Sequence, residues 1–136
     1  FTLIELMLVV IILGTLAALI VPRFAGRSDD AKKTAARTDI ESNLANALDL
    51  YELDNGFYPT SEQGISALVQ APVSPPIPKR WKGPYLKKKE FNDPWGNPYQ
   101  YRSPGTHAND YDLFSYGPNG SDGGNDDITN WDEKPK

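Results

Sequence analysis

Residues 1–22 read FTLIELMLVVIILGTLAALIVP, an apolar run with Glu5 as its one charged residue. A helix of 21 residues rises about 31 Å, close to the hydrocarbon thickness of a bilayer. Because the run begins at Phe1 and not at a methionine, we expect that a leader peptide ends just before it. We therefore predict a transmembrane helix over residues 1–25 and a globular domain over residues 26–136.

The predicted helix continues beyond the apolar run. Its second half is amphipathic, and one face carries Ala36, Ile40, Leu44, Ala47, Leu48 and Tyr51. Gly56 is suited to a left-handed cap at its end. We predict one helix over about residues 1–53, with a kink or a locally melted stretch at Gly14 and Pro22, which both weaken helices.

The remaining sequence predicts a small mixed domain, so the fold class is α+β. Thr60 and Gln63 match a capping box, which predicts a short helix over about 61–70. Alternating apolar residues then predict an antiparallel pair of strands, 98–103 with 111–116, and a weak strand near residues 85–86.

The charge distribution argues against a nucleic-acid-binding protein. The chain has a net charge of -4; residues 1–27 carry +1 from Glu5, Arg23 and Arg27, so the remainder carries -5. Six basic residues form a local exception: Lys79, Arg80, Lys82, Lys87, Lys88 and Lys89. They form either a solvated loop or a contact with an acidic surface on a neighbouring subunit.

Glu5 has two interpretations. An acidic residue suits the positive N-terminal end of a helix. Alternatively, a carboxylate within a membrane segment marks a partner, and an amine at Phe1, of the same or a neighbouring subunit, is the cation at that depth.

Two polar segments near the C-terminus differ in character. Residues 93–98, DPWGNP, are interpreted as a structural turn anchored by Trp95. Residues 115–127 are rich in Gly, Asp and Asn, so they offer either a solvated tail or hard oxygen ligands for Ca²⁺, although they do not match an EF-hand. His107 is interpreted as a surface residue, and no nucleophile–base or metal-hydrolase spacing predicts an enzyme.

The opening segment, with Phe1, Thr2, Leu3 and Glu5, resembles the type IV pilin superfamily. Further along, residues 50–60 (LYELDNGFYPT), 93–99 (DPWGNPY) and 126–128 (DDI) with Trp131 resemble the major pseudopilins of type II secretion. Such a resemblance covers essentially the whole chain.

This resemblance implies a pilin-like fold, in which the long helix packs on a short helix and a small sheet and the C-terminal loop binds metal. It also implies a prepilin peptidase that cuts before Phe1, and N-methylation of that residue. The subunit would sit in the inner membrane with its C-terminal domain in the periplasm. It would then enter a helical homopolymer in which Glu5 neutralises the amine of the next subunit, together with minor pseudopilins and an inner-membrane assembly platform.

The resemblance also implies a single bound calcium ion. Its side-chain ligands would be Asn119, Asp126 and Asp127, and its backbone ligands the carbonyls of Tyr116, Ser121 and Gly124. Asp is more usual at the position matched to Asn119, and Asp122 would be an additional ligand that restores the missing charge.

Two other functions remain open from the sequence. The first is a pilin of a surface fibre, used for adhesion, motility or electron transfer; many such pilins close their C-terminal region with a disulfide, and this chain has no cysteine. The second is a membrane-anchored periplasmic binding or enzymatic module, which would not need Glu5.

Overall fold

The structure is a computed structural model that describes residues 1–88, 91–123 and 126–131, and only the backbone of residues 21–25. The chain divides into two compact units, Phe1–Lys32 and Lys33–Lys136. The first unit holds the apolar run, and the described strands and buried core belong to the second.

Helix dominates the first half of the chain, as the hydrophobic pattern predicts. Helix α1 spans Leu3–Thr38, helix α2 spans Leu44–Asn55, and a π-helical turn, Asp39–Asn43, joins them. Gly56 ends α2 in the left-handed conformation, with φ of 85°. The long N-terminal helix is therefore confirmed, and the π turn is an addition to it.

The apolar part of α1 is continuous. The helix runs through both Gly14 and Pro22, so neither residue melts it in the isolated chain, and a kink there stays a prediction. Leu3–Ile20 is long and apolar enough to cross a membrane by length and composition, and none of it is buried.

The predicted apolar face of the second half of the helix is confirmed. Its six residues are all buried: Ala36, Ile40, Leu44, Ala47, Leu48 and Tyr51. Four of them recur at strict intervals of four, and each such step overshoots a full α-helical turn by about 40°. Because a π turn is wider and rotates less per residue, it keeps this stripe on one face.

The capping box at Thr60 is confirmed in both directions. The Thr60 N–H donates to Gln63 Oε1 at 3.1 Å, and the Gln63 N–H donates to Thr60 Oγ1 at 3.2 Å. The predicted short helix over 61–70 is confirmed with tighter bounds, as a 3₁₀ helix, Ile65–Leu68. Gly64, with φ of 61° and ψ of -165°, interrupts the helical backbone between the two.

The sheet has three short antiparallel strands in the order β1-β2-β3: Gln100–Arg102, Asp112–Ser115 and Ile128–Thr129. Tyr101 pairs with Leu113, and Phe114 pairs with Thr129. The predicted pairing of the first two strands is confirmed with tighter bounds, while β3 is too short to give an alternating pattern.

The predicted weak strand near Tyr85 and Leu86 is wrong. Their backbone N–H groups both point to the carbonyl of Leu68, at 2.6 and 3.3 Å. Successive N–H groups in a strand point to opposite sides, so donation to one carbonyl is incompatible with a ladder.

The turn over residues 93–98 is structural, as predicted. Buried Asp93 accepts the backbone N–H groups of Trp95 and Asn97 on one carboxylate oxygen, at 3.1 and 2.8 Å. Its other oxygen accepts the hydroxyl of Ser115, on β2, at 2.6 Å. The turn is thereby tied to the centre of the sheet.

Candidate functional site

The first candidate site is the start of α1. The Thr2 N–H donates to Glu5 Oε2 at 3.0 Å, and the Glu5 N–H donates to Thr2 Oγ1 at 3.2 Å. This reciprocal pair is a second capping box, and it satisfies two donors that a helix N-terminus leaves without intrahelical partners.

The capping role of Thr2 is what the sequence reasoning missed at this site. Its signal is the Thr-x-x-Glu spacing of residues 2–5, the same spacing that identifies the turn at Thr60. No ion pair joins the Phe1 amine to a carboxylate of the described residues. In the isolated chain, therefore, Glu5 bonds to the backbone of its own helix and not to the Phe1 amine.

The second candidate site is the loop between β2 and β3. The Asn119 side-chain amide donates to Asp126 Oδ1 at 2.8 Å and to the Gly123 carbonyl at 3.0 Å. The Asn119 backbone N–H donates to the other Asp126 oxygen at 3.1 Å, and Asn119 Oδ1 accepts the Ser121 N–H at 3.0 Å. Asn119 is thus the centre of the loop's hydrogen bonding.

Asp127 is the least satisfied carboxylate of this loop. The Gly123 N–H donates to its Oδ2 at 3.3 Å, but its Oδ1 is buried and has no partner among the described residues. Burial raises the pKa of the Asp127 carboxyl, and repulsion from Asp122 and Asp126 raises it further, against the hydrogen bond from Gly123. An orphaned carboxylate oxygen among like charges is favourable for a cation.

The structure brings Asn119, Asp126 and Asp127 together, and Asp122 lies near enough to repel Asp127. Gly124 lies outside the described residues. Within the described ranges, no three His, Cys, Asp or Glu side chains form a ready metal cluster. The donor types suit Ca²⁺ in chemistry, since carboxylate and amide oxygens are hard ligands. The amide nitrogen of Asn119 faces Asp126, however, and would have to exchange places with its oxygen.

The two ends of the loop are fixed. At its start, Gly117 has a φ of 73°, and a Cβ there would collide with the backbone carbonyl of Asp126. At its end, Asn130 continues the pairing of β3, because its side chain accepts the Leu113 N–H at 3.0 Å and donates to the Tyr111 carbonyl at 2.9 Å. The segment is therefore a connection between two paired strands, and its residues 118–123 are exposed.

A buried carboxylate on β2 was also missed by the sequence reasoning. Asp112 accepts the backbone N–H groups of Thr106, His107 and Ala108 at 2.9–3.2 Å, and the Thr106 hydroxyl at 2.8 Å. Burial alone would raise the pKa of the Asp112 carboxyl, but these hydrogen bonds outweigh it and hold that pKa well below its usual range.

His107 is more constrained than an ordinary surface residue. Its Nδ1 lies 3.1 Å from Asp112, and its ring stacks on Trp131 with centroids 4.3 Å apart. Trp131 also meets Phe114 edge to face at 5.5 Å. These contacts hold Trp131, which follows β3, against His107 and against Phe114 of β2.

Five members of the basic cluster fall in the described part of the chain, and Lys89 lies outside it. All five are exposed: Lys79, Arg80, Lys82, Lys87 and Lys88. None of them forms an ion pair with a carboxylate of the described residues.

Comparisons with known proteins agree with this architecture. Residues 23–131 match the family model of type II secretion system protein G. A type II secretion system core protein G of Pseudomonas aeruginosa is 55% identical over 136 residues, covering 97% of this chain and 94% of the relative. One from Escherichia coli is 49% identical over 132 residues, covering 96% of this chain and 89% of the relative.

A solved structure is similar as well. It is the crystal structure of the major pseudopilin from the type 2 secretion system of enterohaemorrhagic Escherichia coli, with a TM-score of 0.70 and 38% identity. The match covers 81% of this chain and 93% of that one.

Proposed function

This chain belongs to the type II secretion system protein G family and is a structural subunit of the pseudopilus; from that premise we propose that the inner membrane holds it before assembly and that contacts with neighbouring subunits hold it in the polymer. Residues 1–25 anchor the subunit once through the inner membrane, and residues 26–136 lie in the periplasm. An assembly platform then draws subunits into a helical homopolymer, with minor pseudopilins, and the growing polymer pushes folded proteins towards the outer membrane. The work is mechanical, and no residue is assigned a catalytic role.

The exposed apolar surface of α1 carries this proposal. Fourteen large apolar side chains between Phe1 and Ile20 are exposed in the isolated chain. Each contributes about 1.5–3 kcal/mol when it leaves water, so the segment requires an apolar environment at all times. The bilayer supplies it before assembly, and the helices of neighbouring subunits supply it in the polymer.

The pairing of Glu5 favours the move of the subunit from the bilayer into the polymer. In the isolated chain its carboxylate bonds to the Thr2 N–H, and the Phe1 amine is unpaired among the described residues. In the polymer the Glu5 of one subunit meets the amine of the next, which prepilin peptidase exposes and which is N-methylated. In an apolar environment a pair between two charged groups is stronger than the bond that it replaces, in which the Glu5 carboxylate accepts from an uncharged backbone N–H.

The experiment compares Glu5→Ala with Glu62→Ala, a matched control at an exposed acidic residue outside the helix. Both variants are expressed in full length with the assembly machinery, and membrane insertion and filament yield are measured separately. We expect Glu5→Ala to insert normally and to form no filaments, while the control behaves as wild type. Normal filaments from Glu5→Ala would contradict the proposed pairing.

We further propose that the β2–β3 loop holds Ca²⁺ through Asn119, Asp126 and Asp127, with backbone carbonyls of Tyr116, Ser121 and Gly124 and with Asp122 as an additional ligand. The orphaned oxygen of Asp127 and the repulsion around it support this proposal. When bound, the ion would neutralise the carboxylates, while Asn119 turns its amide oxygen inward.

Thermal unfolding of the full chain in detergent, with Ca²⁺ or with EDTA, tests the calcium site. We expect Ca²⁺ to raise the midpoint for wild type and for Asp110→Asn, an exposed acidic control, and to have no effect on Asp127→Asn. Equal midpoints for wild type under both conditions would refute the site.

A further inference from the structure

A groove near the end of α2 collects exposed apolar side chains. Beyond the first 20 residues, four large apolar side chains of the described ranges are exposed: Leu50, Leu53, Val73 and Ile77. Leu53 and Ile77, which are 75% and 59% exposed, line one cavity of about 510 Å³ with Phe57 and Pro76. Lys79 and Arg80 line the same cavity. We call this surface the 53–80 groove.

The backbone around the groove is fixed by the fold. Gln63 is buried, and its side-chain amide donates to the carbonyls of Ser74 and Pro76 at 2.8 and 3.0 Å. The Arg80 N–H donates to the Asn55 side chain at 3.3 Å. Ile77 is therefore held between two anchored positions and cannot turn inward without breaking them. A contiguous apolar patch that the fold holds in water is a candidate interaction site.

The groove is lined by two basic residues and by one acidic residue, Asp54, so its net positive charge favours an acidic partner. Lys79 and Arg80 are exposed and form no ion pair within the described residues. Outside residues 1–27 the chain carries a net charge of -5, so every copy offers an acidic exterior. Like-charged copies repel one another, and a basic rim lessens that repulsion where they meet.

We propose that the 53–80 groove is a docking surface for a second copy of this chain in the polymer. Its apolar floor covers apolar atoms of the neighbour, and Lys79 and Arg80 pair with the neighbour's carboxylates. Contact between two different surfaces of identical subunits generates an open helical polymer when the rotation between neighbours does not close a ring, and such a polymer is the assembly required here. The inference rests on the proposed function and adds a contact outside the N-terminal helix.

The test compares Ile77→Glu with Val73→Glu. Val73 is a matched control because it lies in the same loop, is 88% exposed and does not line the groove. Full-length variants are expressed with the assembly machinery, and filament yield is measured alongside the unfolding midpoint. We expect Ile77→Glu to lower the yield about tenfold or more, because it removes one apolar anchor and adds a like charge. Val73→Glu should assemble as wild type.

A second variant, Arg80→Glu, reverses the rim charge without changing the apolar floor. We expect the same loss of filaments, and this result keeps the test decisive if Ile77→Glu lowers the unfolding midpoint. Wild-type yield from both variants would overturn the docking surface and leave the proposed function intact. Absence of filaments from wild type would overturn both. Normal filaments with lost secretion would assign the groove to the exported cargo and would overturn the inference.

Discussion

Replacing Asp112 with asparagine tests the buried hydrogen bonds that organise the loop before β2. The substitution keeps one acceptor oxygen but replaces Oδ2 with an amide group, which faces the N–H of Thr106 and the ring of His107. The variant loses the charge that strengthens these bonds and sets two donors against each other at Thr106. We expect it to be less stable than wild type by about 3 kcal/mol, equivalent to one or two hydrogen bonds to a charged group.

Urea unfolding of the full chain in detergent, followed by tryptophan fluorescence, measures this difference. With a slope of about 1–3 kcal/mol per molar, the midpoint should fall by roughly 1–3 M without a change in slope. Asp110→Asn is the control, since Asp110 is exposed two residues away, and its unfolding free energy should stay within about 0.5 kcal/mol of wild type.

The same pair of proteins gives a pH test with a defined sign. The pKa of Asp112 is lower in the folded protein than its ordinary value of 3.8, so the carboxylate stabilises the fold above that pH. This contribution is lost as the pH falls below 3.8 and through the folded pKa. The difference between wild type and Asp112→Asn should therefore shrink in acid. A difference below about 0.5 kcal/mol at pH 7, or one that does not change in acid, would refute the reasoning.

Two further substitutions test the core and the helix–sheet connection. Leu48→Ala should cost about 2–5 kcal/mol of unfolding free energy because Leu48 is fully buried. Leu50 is half exposed on the same helix, so Leu50→Ala should cost far less. Equal losses from the two variants would contradict the assigned buried face. Tyr99→Phe removes a 2.8 Å hydrogen bond to Asp39 and should lower the unfolding free energy by about 1.5–3 kcal/mol. Tyr58→Phe removes a hydrogen bond to an exposed carboxylate and should change it little. An unchanged unfolding free energy for Tyr99→Phe would show that the bond to Asp39 does not stabilise the fold.

Features set by local periodicity could be predicted from the sequence. The buried helix face from Ala36 to Tyr51 and the box at Thr60 follow from residue spacing alone. The π turn at Asp39–Asn43 could not be predicted, although the strict four-residue spacing of the buried residues is consistent with it. It is stabilised by tertiary contact, because Tyr99 donates to Asp39 from a distant part of the chain.

The candidate sites were only partly predictable for the same reason. Glu5 stands out because a charge in an apolar run is costly, yet its bond to Thr2 needs the geometry of a helix start. Asp112 gives no local signal, because its burial depends on the fold of the loop that precedes it. The composition of the β2–β3 loop indicates oxygen ligands for a cation. Only the structure identifies Asp127 as the carboxylate with an unsatisfied oxygen.

The shortness of β3 has a consequence for solubility. Ile128–Thr129 and the adjoining Asn130 cover one side of β2, whose four residues are all buried. If the loop before β3 opens, β2 gains an unpaired edge, and such edges add strands from other molecules. A ligand that keeps this loop closed would therefore also protect stored subunits from misassociation through their sheets. Whatever stabilises the loop would decide whether subunits associate through their helices or aggregate through β2.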